Sequence, residues 1–364
     1  MKYFGMSLAV AASMGSAAFA GGLERDAQSV GVLFENGRYL EVGLSFASPD
    51  VSGVGGAGSA TPGADSGNIL ESYSGLSLAF KDDINDNLSY AIIFNQPYGA
   101  DIAYPASTYF ATNTTAELDA NTLTGILQYN FDNNVSIYGG ARVQSMDAEA
   151  NVPFLAGYSL TGERDIGYGY LAGVAYEKPE LALRVALTYH SEIKHEVTTT
   201  ESLTPATPTV TNLDTPQSWS LEFQSGLNPR TLLFGSVRWV EWSAFQVAPP
   251  SFVGATGGPL ASFADDRTTY SIGIGRGLNK QWSIFGALAY EDQTGSPTGN
   301  LSPTDGFMRY TVGATYRKDN MKITGGLSYV DIGDANSQLG AVNPAGIFAN
   351  NSAVGAGIKI GYSF

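Results

Sequence analysis

The last twelve residues, 353–364, alternate strictly between two kinds of side chain. The even positions are apolar, whereas the odd positions are small or polar and include Lys359. Because successive side chains of a strand point to opposite faces, the segment predicts a strand with one apolar face and one polar face. Such a strand suits the wall of a membrane β-barrel, apolar toward lipid and polar toward the lumen.

The first twenty residues have the pattern of a secretory signal peptide. Lys2 supplies a positive start, residues 4–19 are apolar or small, and Ala18-Phe19-Ala20 forms a small-x-small cleavage site. We expect the mature chain to begin at Gly21 and exclude residues 1–20 from the fold. The alternative is a retained anchor helix, for which the apolar run is short.

The composition excludes several kinds of site. The 364 residues include no cysteine, which excludes disulfides, thiolate metal sites and a cysteine nucleophile. The formal charge is −15 and Lys and Arg are scarce, so nucleic acid is not an expected partner. We expect no cofactor and no metal centre. The expected surroundings are outer-membrane lipid and lipopolysaccharide, whose bridging divalent ions would offset an acidic exterior.

Short turns and long loops alternate along the rest of the chain. The short turns are rich in Asp, Asn, Pro and Gly, which tolerate tight-turn geometry; they lie at 82–87, 131–134, 177–180, 227–230, 277–280 and 317–320. The long loops lie at about 49–70, 97–120, 146–165, 197–215, 243–266, 292–306 and 332–352. This alternation separates fourteen predicted strands, at 38–48, 71–81, 87–97, 119–130, 134–146, 166–177, 180–197, 216–227, 230–242, 267–277, 280–291, 307–317, 320–331 and 353–364.

The number and length of these strands favour a transmembrane barrel. An even number of strands with short turns on one side is the outer-membrane pattern. The alternative is a soluble β-sandwich, but its strands typically have five or six residues, whereas a transmembrane strand needs about 9–11. We therefore predict an all-β fold, a fourteen-stranded antiparallel barrel over residues 38–364, with both chain ends at the periplasmic rim.

Several segments resemble the FadL family of long-chain fatty-acid transporters of Gram-negative outer membranes. The resemblance runs over nearly the whole mature chain and is carried by segments 79–90 (AFKDDINDNLSY), 95–99 (NQPYG), 189–196 (YHSEIKHE), 240–245 (VEWSAF), 303–305 (PTD) and 351–353 (NSA). It implies a monomeric barrel whose lumen is blocked by an N-terminal hatch. It also implies that hydrophobic ligands are captured among the outer loops and leave sideways through a gap in the third strand.

The hatch departs from the family pattern. Here only residues 21–37 precede the first strand, and the Asn-Pro-Ala motif of the family's hatch is missing from them. These residues combine charges with an apolar patch that ends at Phe34. The charges are expected to pair with luminal side chains such as Arg184 or Arg309, and the apolar part to contact ligand. A hatch that only seals the pore is the alternative.

The candidate ligand-binding residues are apolar and aromatic side chains of the hatch and the outer loops. A hydrophobic ligand needs a mostly apolar pocket with few polar anchors. The candidates are Phe34, Tyr98, Ile102, Tyr104, Phe110, Phe154, Leu155 and Tyr158. The alternative is that the loop residues only pack the loops against each other.

Pro97 and Gly99 are the candidate lateral opening. Proline lacks the N–H that a strand ladder needs, and glycine weakens a strand or marks a bulge. Both residues are predicted to end the third strand, so broken pairing there would open a port in the wall. The alternative is that the strand simply becomes a loop at this point.

The sequence favours passive transport of hydrophobic molecules, above all long-chain fatty acids. Catalysis is not expected, because His190 and Ser191 are adjacent in a strand and point to opposite faces. A general diffusion porin is one alternative, although the inward-facing positions carry few charges. A structural or adhesive surface barrel is the other.

Overall fold

Residues 23–205 and 207–364 are described by the structure, which is a computed structural model. The predicted signal peptide therefore lies outside the described residues. In the part of the chain that the structure covers, no helix is long and apolar enough to cross a membrane.

Fourteen strands of the described residues form one closed antiparallel barrel, as the sequence predicts. They are β1 (Tyr39–Asp50), β2 (Tyr73–Asp83), β3 (Leu88–Ala103), β4 (Thr115–Asn130), β5 (Val135–Val152), β6 (Asp165–Lys178), β7 (Leu183–His190), β8 (Ser218–Asn228), β9 (Thr231–Val240), β10 (Arg267–Gly277), β11 (Trp282–Glu291), β12 (Phe307–Lys318), β13 (Met321–Ile332) and β14 (Asn351–Ser363). Each strand pairs with the next, and β1 pairs with both β2 and β14. This last pairing closes the ladder, so the sheet has no free edge.

The long connections carry further short elements. The strands among them are Gly53–Gly55, Tyr158–Gly162, Glu196–Glu201, Thr209–Asn212, Gln246–Val247, Ala261–Ser262, Ala335–Leu339 and Val342–Phe348. The helix α1 covers Pro250–Thr256, and 3₁₀ turns cover Gly31–Phe34, Pro179–Leu181 and Trp242–Ala244. Tyr39 pairs with Ser363, so the first and last strands begin and end at the rim that carries the short turns.

The outer face of the barrel is apolar. On β14, Val354, Ile358 and Ile360 are 43–53% exposed, and the intervening residues point inward. The inward-facing Lys359 forms an ion pair with Glu41 of β1 (2.9 Å). The two faces of the C-terminal strand therefore meet two different environments, as its sequence alternation predicts.

The expectation that few charges face the lumen is wrong. Inward-facing strand positions carry Lys322, Arg238 and Arg267, each 5–8% exposed. Lys322 pairs with Glu35 (2.5 Å), and Arg267 pairs with Asp305 (2.6 Å). Sequence composition hides these charges because they are few in each strand and meet only when the barrel closes.

Four strand boundaries differ clearly from the sequence prediction. Strand β3 does not end at Pro97 but continues to Ala103, with a register shift between Asn95 and Tyr98. Strands β4 and β5 extend further toward the loops than predicted, so the loops at 104–114 and 153–164 are shorter. Conversely, β7 ends at His190 rather than at residue 197. Propensity marks Pro97 as a breaker, but β4 pairs with β3 on both sides of it and keeps the chain extended.

An arginine on the apolar outer face should destabilise the barrel. Leu327, in the middle of β13, is 63% exposed. Replacing it with arginine should lower the free energy of unfolding from lipid bilayers by about 2–4 kcal/mol, the cost of Arg or Lys on the lipid-facing side at the bilayer midplane. Equilibrium unfolding in denaturant measures this change.

The matched control is Leu181→Arg in a short turn, where the side chain is 40% exposed. Near the interface the same exchange should cost about 0–1 kcal/mol. Equal losses in the two variants would contradict a lipid-facing outer surface.

Candidate functional site in the barrel wall and outer loops

The N-terminal segment, defined here as residues 23–38, contacts the inner face of the barrel. Its 3₁₀ turn Gly31–Phe34 buries Val32 and Leu33. The ring of Phe34 packs edge-on against Tyr138 (6.3 Å between centroids) and lies under the guanidinium of Arg184 (4.4 Å). Arg184 therefore contacts the N-terminal segment through an aromatic ring, whereas the sequence predicts that it pairs with a charged side chain of this segment.

Polar contacts fix the rest of the N-terminal segment. Glu24 forms an ion pair with Arg238 of β9 (2.5 Å), and Ser29 donates a hydrogen bond to Glu222 of β8 (2.8 Å). The amide of Gln28 donates to the Tyr98 hydroxyl (3.0 Å) and accepts from Arg142. Because Arg238, Arg142 and Tyr98 are buried, removing the partner of one of them would leave a buried polar group unsatisfied.

The ladder between β2 and β3 is interrupted. It runs from Asp83 opposite Ser89 to Leu78 opposite Phe94, and pairing resumes at Leu70 opposite Ile102. We call the interval between residues 73–77 of β2 and 95–99 of β3 the wall gap. An interrupted ladder exposes unpaired backbone groups, which are costly in lipid unless other groups pair with them.

The N-terminal segment takes the place of β2 beside β3 at this height. The backbone N–H of Gly99 donates to the carbonyl of Leu23 (2.9 Å), and the N–H of Arg25 donates to the carbonyl of Pro97 (2.7 Å). Glu24 thus forms an antiparallel bridge with Tyr98. The backbone groups of β3 that do not pair with β2 at this height therefore form hydrogen bonds with the N-terminal segment.

The side chain of Gln96 lies across the wall gap. Its Oε1 accepts from the backbone N–H of Leu76 on β2 (3.0 Å), and its Nε2 donates to Asn121 on β4 (3.1 Å). A single side-chain amide thus stands in for a missing part of the backbone ladder. A side chain can leave such a position by rotation, which a backbone ladder cannot do without unfolding.

The outer loops enclose a cavity of about 530 Å³, which we call the outer cavity. Its volume is in the range of small-molecule sites. All its lining residues are uncharged; they are Thr114, Val152, Phe154, Leu155, Phe252, Thr256, Gly258, Pro259, Leu260, Ala261, Ser262, Ala264, Pro297, Thr298, Gly299, Asn300, Leu301, Gln338, Leu339 and Gly340.

Two smaller cavities of about 60 Å³ each extend from the outer cavity toward the wall gap. The first shares Leu301 with the outer cavity and includes Ile102. The second shares Arg25 and Tyr73 with the first and includes Gln96. The common lining residues place these three cavities next to one another between the outer loops and the wall gap.

The predicted ligand-binding residues fall into two groups. Phe154 and Leu155 line the outer cavity, and Ile102 lines the first small cavity. Phe110 lies directly behind Phe154 (5.5 Å between centroids). These four positions therefore lie at or beside the outer cavity and the first small cavity.

The other predicted residues are buried behind the cavities. Tyr98 packs against Trp242 (5.8 Å), and Tyr104 donates to the carbonyl of Asn300 (2.6 Å). Tyr158 donates to Glu201 (3.0 Å), and Phe34 lies deeper in the barrel against Tyr138. Their contacts with ligand remain a prediction. In the structure their side chains contact other residues of the protein.

Sequence reasoning missed most of the outer cavity's apolar lining. Phe252, Leu260, Leu301 and Leu339 come from three later loops. Each is a large apolar residue in a long outer loop, which is the same signal that pointed to Phe154. The signal was available, but only the folded loops show that these positions meet.

A buried carboxylate positions one wall of the outer cavity. Glu201 accepts hydrogen bonds from the backbone N–H groups of Ser251 (3.0 Å) and Phe252 (2.9 Å) at the start of α1. It also accepts from Tyr158. Backbone N–H groups at a helix start lack partners within the helix, so the carboxylate satisfies them and holds Phe252 toward the cavity.

The segment at 189–196 seals the wall between β6 and β7 where their ladder ends. Ser191 Oγ accepts from the backbone N–H of Tyr170 (2.9 Å). The ring of His195 contacts Asp165 (3.0 Å) and Gln144 (3.1 Å). These residues have structural partners in the wall, and the hydrogen bonds of Ser191 join it to backbone groups.

Comparison with known proteins shows the family to which this chain belongs. Residues 37–364 match the family model of the outer membrane protein transport proteins, described as OMPP1/FadL/TodX. The chain belongs to this family. The FadL/TodX family membership confirms the resemblance that the sequence segments indicate. The chain is accordingly an outer-membrane transporter of hydrophobic compounds of the FadL/TodX type.

Several solved structures share this fold. A Pseudomonas aeruginosa FadL homologue has a TM-score of 0.75 at 16% identity, with 92% of each chain covered. The Pseudomonas putida toluene transporter TodX has a TM-score of 0.65 at 14% identity, covering 97% of this chain and 96% of its own. The Ralstonia pickettii toluene transporter TbuX has a TM-score of 0.63 at 15% identity, with 97% of each chain covered. No curated protein matches the sequence significantly.

Acid should release α1 from its anchor on Glu201. Burial acts to raise the pKa of Glu201, but hydrogen bonds from Ser251, Phe252 and Tyr158 outweigh it and hold the pKa below the ordinary value of 4.5. A lowered pKa in the folded state means that the stabilisation is full above about pH 4.5 and is lost as the pH falls through the folded pKa. Hydrogen exchange of the amides at 251–256, corrected for its intrinsic pH dependence, should therefore accelerate in acid.

Glu201→Gln serves as the matched variant, because it keeps one acceptor oxygen and cannot titrate. Its amides should exchange faster than those of the wild-type protein at neutral pH and show no acid step. An acid step of the same size in Glu201→Gln would show that another group anchors α1.

Proposed function

We propose that this chain captures hydrophobic molecules in the outer cavity and releases them sideways into the outer membrane through the wall gap. The observation that carries the proposal is the interrupted ladder between β2 and β3, with a cavity lined by residues of both strands at this place. A hydrophobic molecule gains free energy at each step when it leaves water for an apolar cavity and then for lipid. Passive diffusion therefore needs no energy source.

Capture is supported by the lining of the outer cavity. Leu155, Phe252 and Leu301 come from three different connections and surround a volume of about 530 Å³. Apolar side chains held open by fixed loops are the normal design of a small-molecule site. The anchor between Glu201 and α1 keeps the cavity from collapsing.

Lateral exit is supported by the same residues that the sequence singles out. Pro97 contributes its carbonyl, but no N–H, to the bulged part of β3, and Gly99 follows at the point where the N-terminal segment is paired. In this proposal the N-terminal segment is the hatch. It closes the route to the periplasm, and a ligand leaves through the wall beside Gln96.

Long-chain fatty acids are our first candidate ligand. A carboxylate moving from the small cavities to the wall gap would meet Arg25 and Lys359, which line the cavity at the gap. Neutral hydrocarbons are the second candidate, favoured by the uncharged lining of the outer cavity. TodX and TbuX, two of the similar structures, are toluene transporters by description.

The alternatives predict different properties. A general diffusion porin needs an open polar lumen, whereas Val30, Val32 and Leu33 of the N-terminal segment are at most 7% exposed inside this barrel. A structural or adhesive barrel would take up no ligand, and catalysis is not part of this proposal. We also propose a monomer in contact with lipopolysaccharide and outer-membrane lipid, since the closed ladder leaves no strand edge that a second copy must cover.

Closing the wall gap covalently should stop uptake. Since the chain has no cysteine, Leu76→Cys with Gln96→Cys provides two unique thiols, one on each side of the gap. A short bifunctional thiol reagent should abolish uptake of labelled oleate and labelled toluene by cells that carry this variant. Without the reagent, uptake should continue.

The control joins the same two strands where their ladder is intact. Phe80 and Ile92 are directly paired, so the same reagent at Phe80→Cys with Ile92→Cys should leave uptake unchanged. Continued uptake after cross-linking of residues 76 and 96 would contradict the lateral exit. Ligand preference follows from the ratio of oleate to toluene uptake in the unlinked protein.

A charge in the outer cavity should weaken capture. Leu155→Glu should raise the ligand concentration at half-maximal uptake by about tenfold, since an unpaired carboxylate in an apolar site costs at least ~1.4 kcal/mol. Val210→Glu, at a 54%-exposed loop position outside the cavity lining, is the control and should behave like the wild-type protein. Equal effects of the two variants would point to general electrostatic repulsion instead of a binding cavity.

A further inference from the structure

Arg25 of the N-terminal segment touches both sides of the wall gap. Its guanidinium lies 4.3 Å from the ring centre of Tyr73 on β2. On the opposite side it pairs with Asp101 of β3 (2.5 Å) and approaches Asp119 of β4 (3.9 Å). One side chain therefore connects β2 and β3 at the end of the wall gap, next to the point where the backbone N–H of Glu71 donates to the carbonyl of Asp101 and pairing resumes (3.0 Å).

The slot that holds Arg25 exists because residue 99 is a glycine. A Cβ added to Gly99 would lie 2.4 Å from Cζ of Arg25 and 2.6 Å from Nε. Because the conflicting atoms are the mobile end of a side chain, an alanine there would displace the guanidinium at little cost to the backbone. Gly99 thus makes room for Arg25, a role distinct from that of a strand breaker.

The environment makes this contact stronger than an ordinary surface ion pair. The side chain of Arg25 is 13% exposed and that of Asp101 is 22% exposed, so water screens the pair only in part. The planar guanidinium can stack on Tyr73 and donate to a carboxylate at the same time, which a lysine cannot reproduce. Asp119 is 43% exposed and contributes less.

We propose that Arg25 is the latch of the wall gap. While its guanidinium lies between Tyr73 and Asp101, it fills the gap and holds the N-terminal segment against β3. When the guanidinium leaves, the second small cavity, which is lined by Gln96, opens through the wall. The rate of passage is set by how often this occurs. The inference rests on the proposed lateral exit and names the side chain that controls it.

Two variants test the latch in different ways. Arg25→Gln removes the charge, whereas Gly99→Ala keeps the charge and displaces the guanidinium. Both should raise the initial rate of oleate and toluene uptake by about tenfold, a change equivalent to ~1.4 kcal/mol. Arg25→Lys should give an intermediate rate, because an ammonium pairs with Asp101 but does not stack as a planar fork. For each variant, the migration of heated and unheated samples in gels is compared, which verifies that the barrel is folded.

Arg164→Gln is the matched control. Arg164 forms an ion pair with Asp147 (2.9 Å), is 64% exposed and lies outside the cavities at the wall gap. The same exchange there should leave uptake unchanged. An equal increase in Arg164→Gln would overturn the latch, because the effect would then come from surface charge.

Cross-linking of residues 76 and 96 separates failure of the latch from failure of the lateral exit. If the cross-link stops the extra uptake of Arg25→Gln, the released route passes through the wall gap and the latch is supported. If the cross-link stops wild-type uptake but Arg25→Gln and Gly99→Ala transport at the wild-type rate, the latch is overturned and the exit stands. If uptake survives the cross-link, both proposals are overturned.

Discussion

The structure depends on one constraint, which is that a backbone facing lipid must find all its hydrogen-bond partners within the protein. Closure of β1 on β14 meets this constraint for the barrel as a whole. The interval between β2 and β3 is the instructive exception, because there the ladder is replaced by the N-terminal segment and by the side chain of Gln96. A wall that must be sealed is thus sealed at this place by groups that can move.

The same constraint explains why the binding site is formed by the loops and not by the wall. The paired strands leave little freedom for a binding site, so the outer cavity is built from loops and fixed by contacts such as that of Glu201 with α1. The luminal charges serve a related purpose. Arg238, Lys322 and Arg184 bind the N-terminal segment and hold it against the inner face of the barrel.

The sequence predicts the residues of the candidate site less completely than it predicts the fold. Phe154, Leu155 and Ile102 line cavities, and Pro97 and Gly99 mark the disturbed part of β3. Phe252 and Leu301 could not be assigned to the same cavity, because their loops are separated by dozens of residues. The pairing of Arg25 with Asp101 across 76 residues has no local signal at all.

What the sequence by itself determined is the class of the molecule: alternation with a period of two, strands of transmembrane length and alternating turns require a closed barrel with an apolar exterior. These are local properties, so they can be recognised one strand at a time. Only the tertiary structure decided where the ladder breaks, what occupies the break and which loop residues enclose a cavity. Those features depend on contacts between distant segments, and closure of the barrel brings these segments together.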